Sequence, residues 1–253
     1  MPDPRTVFCT LAAGLALAVP APAARADMIS VPASRFGNYA ADGIGNINSP
    51  GFQNYFAGYS TPSATAERRN FFIFPTASFT SLSLVSATLV LYVPLFAPGV
   101  TTDGGPGYIS PDPSETFRLS PSFVPASEVG DPTNDPTESM FIWGTLGTGP
   151  LAGSIEIFPS AMGTYVHIPL TAMAVAALDT IGPGDIVFGG MITSLDHTRP
   201  MVLDELLFSF TDVPGSGSFT VPTLVLEYVP APSSAAAVLG AAGLLARRRR
   251  TGS

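Results

Sequence analysis

The chain has no lysine, a single cysteine and few charges, since only 12% of its 253 residues are charged. Two of its arginines lie within the first 26 residues and four lie at 247–250. Residues 27–230 therefore hold five arginines against 18 acidic residues, a formal charge of −13. Such an acidic body repels phosphate backbones, so the sequence excludes a nucleic-acid-binding protein.

Long uninterrupted helices are also improbable for this composition. The 26 prolines and 25 glycines are spread along the whole chain and make up about one residue in five. Proline and glycine interrupt helices and favour turns, so an all-α protein is excluded. A hydrophobic content of 46% excludes a disordered chain, and the composition favours a turn-rich all-β fold with a buried core.

The N-terminal segment resembles a secretory signal peptide. A basic residue precedes the apolar run 7–19, and Ala24 and Ala26 supply the small residues that signal peptidase requires before a cut at Asp27. Cys9 would leave with this segment. The mature chain would then be free of cysteine, which excludes disulfides, thiol nucleophiles and cysteine-rich metal sites.

The C-terminal segment has three parts in a fixed order. A short proline motif precedes the uncharged segment 235–246, which a basic cluster follows. The apolar part of 14 residues, 233–246, spans roughly 21 Å as a helix, which is shorter than the ~30 Å core of a bilayer. Flanking residues or local thinning of the bilayer would make up the difference. A basic cluster after an apolar segment stays cytoplasmic, so the body would lie outside the membrane. The motif comprises Val229, Pro230, Ala231 and Pro232, and the cluster comprises Arg247, Arg248, Arg249 and Arg250.

This order of proline motif, small-residue helix and arginine run resembles the PEP-CTERM sorting signal, also described as an ice-binding-protein C-terminal motif. Ala231 stands where that family most often has glutamate. The resemblance implies that an exosortase recognises the membrane-held precursor, cleaves near the proline motif, and releases the protein or attaches it to the cell surface. An ordinary C-terminal membrane anchor remains the alternative.

The residues between the two ends predict one all-β domain. Short alternating or β-rich runs bounded by turn residues predict about eleven strands, which would form two packed sheets. A run of good helix formers at 171–181, ended by glycine and proline, predicts a single short helix. The predicted organisation is a signal peptide at 1–26, a β-sandwich domain at 27–228 and a sorting signal at 229–253. The predicted strands are 28–31, 54–59, 70–74, 86–93, 115–119, 139–143, 153–158, 164–168, 186–192, 204–210 and 223–228.

Residues 69–74 and 85–93, which include two of these predicted strands, carry a second resemblance. An arginine-bearing apolar strand followed by a Ser-Ala-Thr-Leu strand is similar to the extracellular β-sandwich modules named DNRLRE domains. The resemblance implies a jelly-roll-like sandwich made of two sheets. Some sandwich families of this kind bind polysaccharides, although a fold alone does not define a function.

Arg69 and Trp143 are the two single residues for which the sequence predicts a specific role. Alternation along 70–74 makes both faces of that strand apolar, so a buried Arg69 would need a carboxylate partner. We expect Glu115 to be that partner, and an exposed, solvated Arg69 is the alternative. Trp143 lies in a glycine-rich segment, where it could stack on a sugar ring or fill the core. The same two alternatives hold for the tyrosines, which are Tyr39, Tyr55, Tyr59, Tyr92, Tyr108, Tyr165 and Tyr228.

The acidic residues and the histidines allow further interpretations. Asp131, Asn134, Asp135 and Glu138 offer four oxygen-bearing side chains within eight residues, as in a calcium loop, although turn chemistry explains the same residues. Two carboxylates could serve glycoside hydrolysis, and the candidates are the pair Asp204 and Glu205 and the isolated Glu115, Glu138, Glu156 and Glu227. His167 and His197 belong to no spaced ligand motif and are interpreted as structural.

Taken together, these features predict an exported bacterial surface or extracellular-matrix protein without a catalytic role. Signal peptidase and an exosortase would be its partners during export, and the C-terminal helix would hold it transiently in the membrane. A carbohydrate-binding module for an extracellular polysaccharide is the first alternative, and a polysaccharide-cleaving enzyme is the second. No cofactor is expected, with calcium the one metal left open.

Overall fold

A computed structural model describes residues 25–43, 45–46, 54–59, 67–95, 107–131, 133–196, 205–208 and 221–230. Within these residues the chain is mainly β-structure, as the composition predicts. Ten of the eleven predicted strand segments overlap observed strands. The strands are β1 Asp27–Pro32, β2 Arg35–Ala40, β3 Gly45–Asn46, β4 Ala57–Tyr59, β5 Arg68–Pro75, β6 Ser83–Val93, β7 Tyr108–Ile109, β8 Glu115–Pro121, β9 Gly153–Ile157, β10 Thr164–Pro169, β11 Asp185–Ile192, β12 Glu205–Leu207 and β13 Thr223–Val229.

The described strands form two antiparallel sheets. The four-stranded sheet has the order β1-β13-β6-β10. The nine-stranded sheet has the path β7-β12-β4-β5-β11-β8-β9, with β2 paired to β5 and β3 paired to β2. Only Ala33 and Ser34 separate β1 from β2, so the chain passes from one sheet to the other within two residues.

The two sheets share one apolar core, which makes the fold sandwich-like. Leu89 and Leu91 of the four-stranded sheet belong to the same buried cluster as Phe72 and Phe188 of the nine-stranded sheet. Alternate residues along β6 point into this cluster, since residues 87, 89, 91 and 93 are buried and the residues between them are half-buried. The core therefore holds the sheets face to face.

A second, smaller core covers the opposite face of the nine-stranded sheet. Phe71 and Ile73 of β5 pack there with Ile142 and Leu146, which belong to or follow a helix. Strand β5 is therefore buried on both faces, in keeping with the apolar residues that it carries on each face. The α-helices of the described residues are α1 Ala126–Val129, α2 Pro136–Thr145 and α3 Ala172–Asp179, and a short 3-10 helix spans Pro159–Ala161.

Helix α2 corrects two predictions. Residues 139–143 were predicted as a strand and lie in this helix, and α3 is not the single helix of the described residues. The physical reason is a capping box. The Asp135 side chain accepts hydrogen bonds from the backbone N–H groups of Thr137 and Glu138, while Glu138 accepts one from the Asp135 N–H. Pro136 at the first helical position also favours this start.

Helix α3 lies where the run of helix formers predicts it. The Thr171 hydroxyl caps its first turn by accepting a hydrogen bond of 3.2 Å from the Ala174 N–H. Val175 and Leu178, three residues apart, are buried in the larger core. Asp179 at the other end accepts a hydrogen bond of 2.8 Å from the Leu84 N–H, which ties the helix to β6.

Candidate functional site

The structure gives Arg69 a different partner from the one predicted. Arg69 is buried, and its Nε donates to Glu67 Oε1 at 2.7 Å, so the predicted ion pair with Glu115 is wrong. Residues two apart in an extended segment point to the same side, which brings Glu67 beside Arg69 without any long-range pairing. Glu67 is equally buried, at 6% exposure.

Arg69 also holds the end of helix α2. Its guanidinium donates to the backbone oxygens of Trp143 at 3.4 Å and Leu146 at 3.3 Å. Its Cζ lies 4.0 Å from the centre of the Trp143 ring. A cation at this position complements the negative end of the helix dipole and stacks on an aromatic face.

Trp143 is consequently a poor platform for a sugar. One face of its ring lies against Arg69, and the side chain packs on the smaller core. Its indole nitrogen is buried and has no acceptor among the described residues. The predicted ligand contact at Trp143 stays a prediction, with one face of the ring occupied by Arg69.

Glu115 is fully buried and is held by two serines. Its Oε1 accepts a hydrogen bond of 2.5 Å from the Ser110 hydroxyl, and its Oε2 accepts a short one from the Ser194 hydroxyl. These two donors replace the arginine that the sequence led us to expect. Ser110 lies close to Glu115 in sequence, but Ser194 is 79 residues away, and nothing local to Glu115 signals that second donor.

Glu205 lies near Glu115 on the same sheet. Its Oε2 accepts a hydrogen bond of 2.8 Å from the Asp196 N–H. Burial raises the pKa of Glu205, and the charges of Glu115 and Asp112 raise it further, against the lowering effect of that hydrogen bond. Of the scattered carboxylates, the structure thus brings Glu115 and Glu205 together, but buries both.

The side chains of the predicted calcium segment form hydrogen bonds with other groups of the protein. Asp135 and Glu138 form the capping box of α2. Asp131 accepts a hydrogen bond of 2.8 Å from the Thr133 N–H, and Asn134 donates to the Tyr39 hydroxyl at 3.0 Å. The described residues contain no group of three or more His, Cys, Asp or Glu side chains that could hold a metal. Helix and turn capping therefore accounts for these side chains, and calcium binding by them stays a prediction.

The outer face of the four-stranded sheet presents two of the tyrosines considered for sugar stacking, as a pair that the sequence did not predict. Tyr165 of β10 lies directly opposite Tyr92 of β6. Their ring centres are 5.2 Å apart, with 56° between the ring planes. Tyr165 is 52% exposed and Tyr92 is half-buried. His167, two residues further along β10, is exposed on the same face.

We call Tyr92, Tyr165 and His167 the tyrosine platform. The inner face of its two strands is held by the larger core, in which Leu91 and Val93 of β6 and Val166 and Ile168 of β10 are buried. A backbone oxygen also helps to fix β6. The Tyr92 C=O accepts a hydrogen bond of 2.8 Å from the Tyr55 hydroxyl, and burial raises the Tyr55 pKa far above its usual range.

The two predicted processing sites lie on neighbouring strands. Asp27, the expected first mature residue, pairs with Tyr228, which directly precedes the sorting motif. Val229 and Pro230 are described, whereas Ala24, Ala231, Pro232 and the arginines 247–250 lie outside the described residues. Among the residues that the structure describes, no helix is long and apolar enough to cross a membrane.

No protein-family model matches this chain. None of the curated proteins is significantly similar in sequence to it.

Proposed function

We propose that this chain is an exported, non-catalytic protein of the bacterial surface or extracellular matrix. Its body would be a jelly-roll-like sandwich of the DNRLRE type, and its C-terminal signal would be processed by an exosortase-type system. The pairing of β1 with β13 carries this proposal. Asp27 and Tyr228 face each other, so both ends of the body would leave from the same end of the paired strands, toward one membrane.

The environment of the carboxylates supports a non-catalytic role. Glu67, Glu115 and Glu205 are each less than 7% exposed. Each accepts a hydrogen bond from the protein itself, so its oxygens serve the fold. A hydrolase needs carboxyl groups that reach the substrate. Polysaccharide cleavage that is abolished by Glu115→Gln in a folded protein would overturn this part of the proposal.

Mass spectrometry of the exported protein tests the processing. The full chain would be expressed in one bacterium with and without its exosortase, and we expect the product to begin at Asp27 in both. It should end near Val229 only when the exosortase is present. A variant with Pro230→Ala and Pro232→Ala should keep the cut before Asp27 and lose the second cut. An exported protein that retains Arg247 to Arg250 in both strains would refute the exosortase.

Carbohydrate binding is the second candidate function, and the tyrosine platform favours it. An exposed aromatic pair on a sheet supported by a packed core offers a rigid surface for sugar rings. Retention of the purified full chain in gels that contain a polysaccharide would support this function. Unchanged mobility across neutral and anionic polysaccharides would count against it.

A further inference from the structure

Two tilted rings and an imidazole lie side by side on the outer face of the four-stranded sheet. Tyr165 pairs with Tyr92, and the next row of the sheet places His167 opposite Val90. Tyr165 and His167 are both exposed. The face therefore offers two aromatic surfaces next to a group that can donate and accept hydrogen bonds.

The chemistry of this surface suits a sugar ring. A pyranose has an apolar face of C–H groups and a rim of hydroxyls. Tyrosine presents an apolar ring that ends in a hydroxyl, so one side chain can stack on the C–H face while its hydroxyl meets the rim. The fixed strands below the platform lower the entropy lost on binding.

The charge of the same face selects among polysaccharides. Along the described strands of this sheet, the outer face carries one carboxylate, Glu227, and its Oε2 accepts a hydrogen bond of 2.9 Å from Ser86. No arginine lies on this face among the described residues. The chain as a whole has a formal charge of −8, so an acidic polysaccharide would meet repulsion and no basic partner.

We propose that the tyrosine platform is a binding site for a neutral polysaccharide, with Tyr165 and Tyr92 as stacking residues and His167 as a hydrogen-bonding residue. This assignment rests on the carbohydrate-binding function proposed above. It places the ligand on the four-stranded sheet, away from Trp143 of helix α2, which the sequence singled out.

Affinity electrophoresis of the purified full chain tests the site. We expect retardation in gels with the neutral polymers hydroxyethylcellulose, glucomannan or laminarin, and none with alginate. Tyr165→Ala should weaken binding about tenfold or more, because it removes the exposed ring, whereas Tyr165→Phe should retain most of the affinity. Phe123→Ala is the matched control, since it removes an aromatic ring that is 79% exposed outside this sheet.

Each result has a distinct meaning. Absence of retardation in every gel, neutral and anionic, would refute both the carbohydrate-binding function and the platform. Retardation that Tyr165→Ala leaves unchanged would keep the function and refute this site. Retardation in alginate alone would refute the neutral ligand. Self-association of the full chain, measured by analytical ultracentrifugation and abolished by Tyr165→Ala, would assign the face to a second copy of the chain instead.

Discussion

Arg69 joins three parts of the molecule through one side chain. It pairs with Glu67 at the start of β5, donates to the backbone at the end of α2 and stacks on Trp143. Each of these contacts needs the positive charge or the planar guanidinium, which lysine does not supply in the same form. Arg69 therefore fixes helix α2 to the nine-stranded sheet.

The ion pair should be costly to break from one side. We expect Arg69→Met to lower the free energy of unfolding by about 3–5 kcal/mol, because the buried Glu67 carboxylate loses its partner. Adding Glu67→Gln should recover part of this loss, which a double-mutant cycle by urea denaturation measures. The same cycle with Glu115→Gln is the control. Coupling of Arg69 to Glu115 but not to Glu67 would contradict the observed pair.

Glu205 should make the stability depend on pH. The raised pKa of its carboxyl means that the folded state holds a proton more tightly than the unfolded state. This group therefore favours folding below its ordinary pKa, and that contribution is lost as the pH rises through the raised value. We expect Glu205→Gln to be more stable than the natural chain at pH 7 and similar to it at pH 4.

Urea unfolding at the two pH values measures this effect. Glutamine can still accept the hydrogen bond from the Asp196 N–H and removes the negative charge near Glu115. Glu156→Gln is a suitable comparison, because Glu156 is exposed on β9 and its charge stays hydrated when the chain folds. A Glu205→Gln variant that is less stable than the natural chain at pH 7 would show that the charge is needed.

At the scale of the element, helix α2 depends on its first turn. We expect Asp135→Ala to cost about 1 kcal/mol, because two backbone N–H groups at the helix start lose their acceptor. Asp135→Asn should be close to neutral, since asparagine caps helices as well as aspartate does. Chemical denaturation measures both changes. Equal losses for alanine and asparagine would indicate that the charge of Asp135 matters rather than the cap.

The misprediction of α2 has a physical explanation in the same residues. Residues 139–143 contain Ile142 and two aromatic residues, which favour strands when they are considered alone. The capping residues Asp135 and Glu138 were interpreted as turn or calcium residues. Because a capping box and an oxygen-rich loop share these residue types, the signal was present but ambiguous.

Strand β2 is a strand that the sequence did not predict, because its residues show no strand pattern. Its segment includes Gly37, Asn38 and Ala40, which have low β-propensity. It forms because it pairs with β5 over six residues and because Asn38 donates a buried hydrogen bond of 3.1 Å to the Asn54 C=O. Such contacts depend on the assembled sheet, so a local reading of the sequence could not find them.

At the scale of the whole molecule, the sequence predicts the β-rich class and the position of most strands. Short apolar runs bounded by turn residues define these features, and such runs are visible locally. The candidate site was less predictable. Tyr92 and Tyr165 are 73 residues apart in sequence, and only the register between β6 and β10 makes them neighbours. Their exposure likewise depends on which face of the sheet the core covers.

The pairing of β1 with β13 closes the body by joining its first and last strands, and a cross-link tests it. Ser30 and Val225 are register partners, so their Cα atoms should lie about 4.5–5.5 Å apart, within reach of a disulfide. The chain has one cysteine, Cys9, in the predicted signal peptide, so the exported protein with Ser30→Cys and Val225→Cys should form this bridge alone. Oxidation should lower the mass by two hydrogens and raise the free energy of unfolding by about 2–4 kcal/mol. Ser30→Cys with Thr88→Cys is the control, because β13 separates these positions by about two strand spacings, or roughly 9–10 Å. Equal cross-linking of the two pairs would show that β1 does not hold its place beside β13.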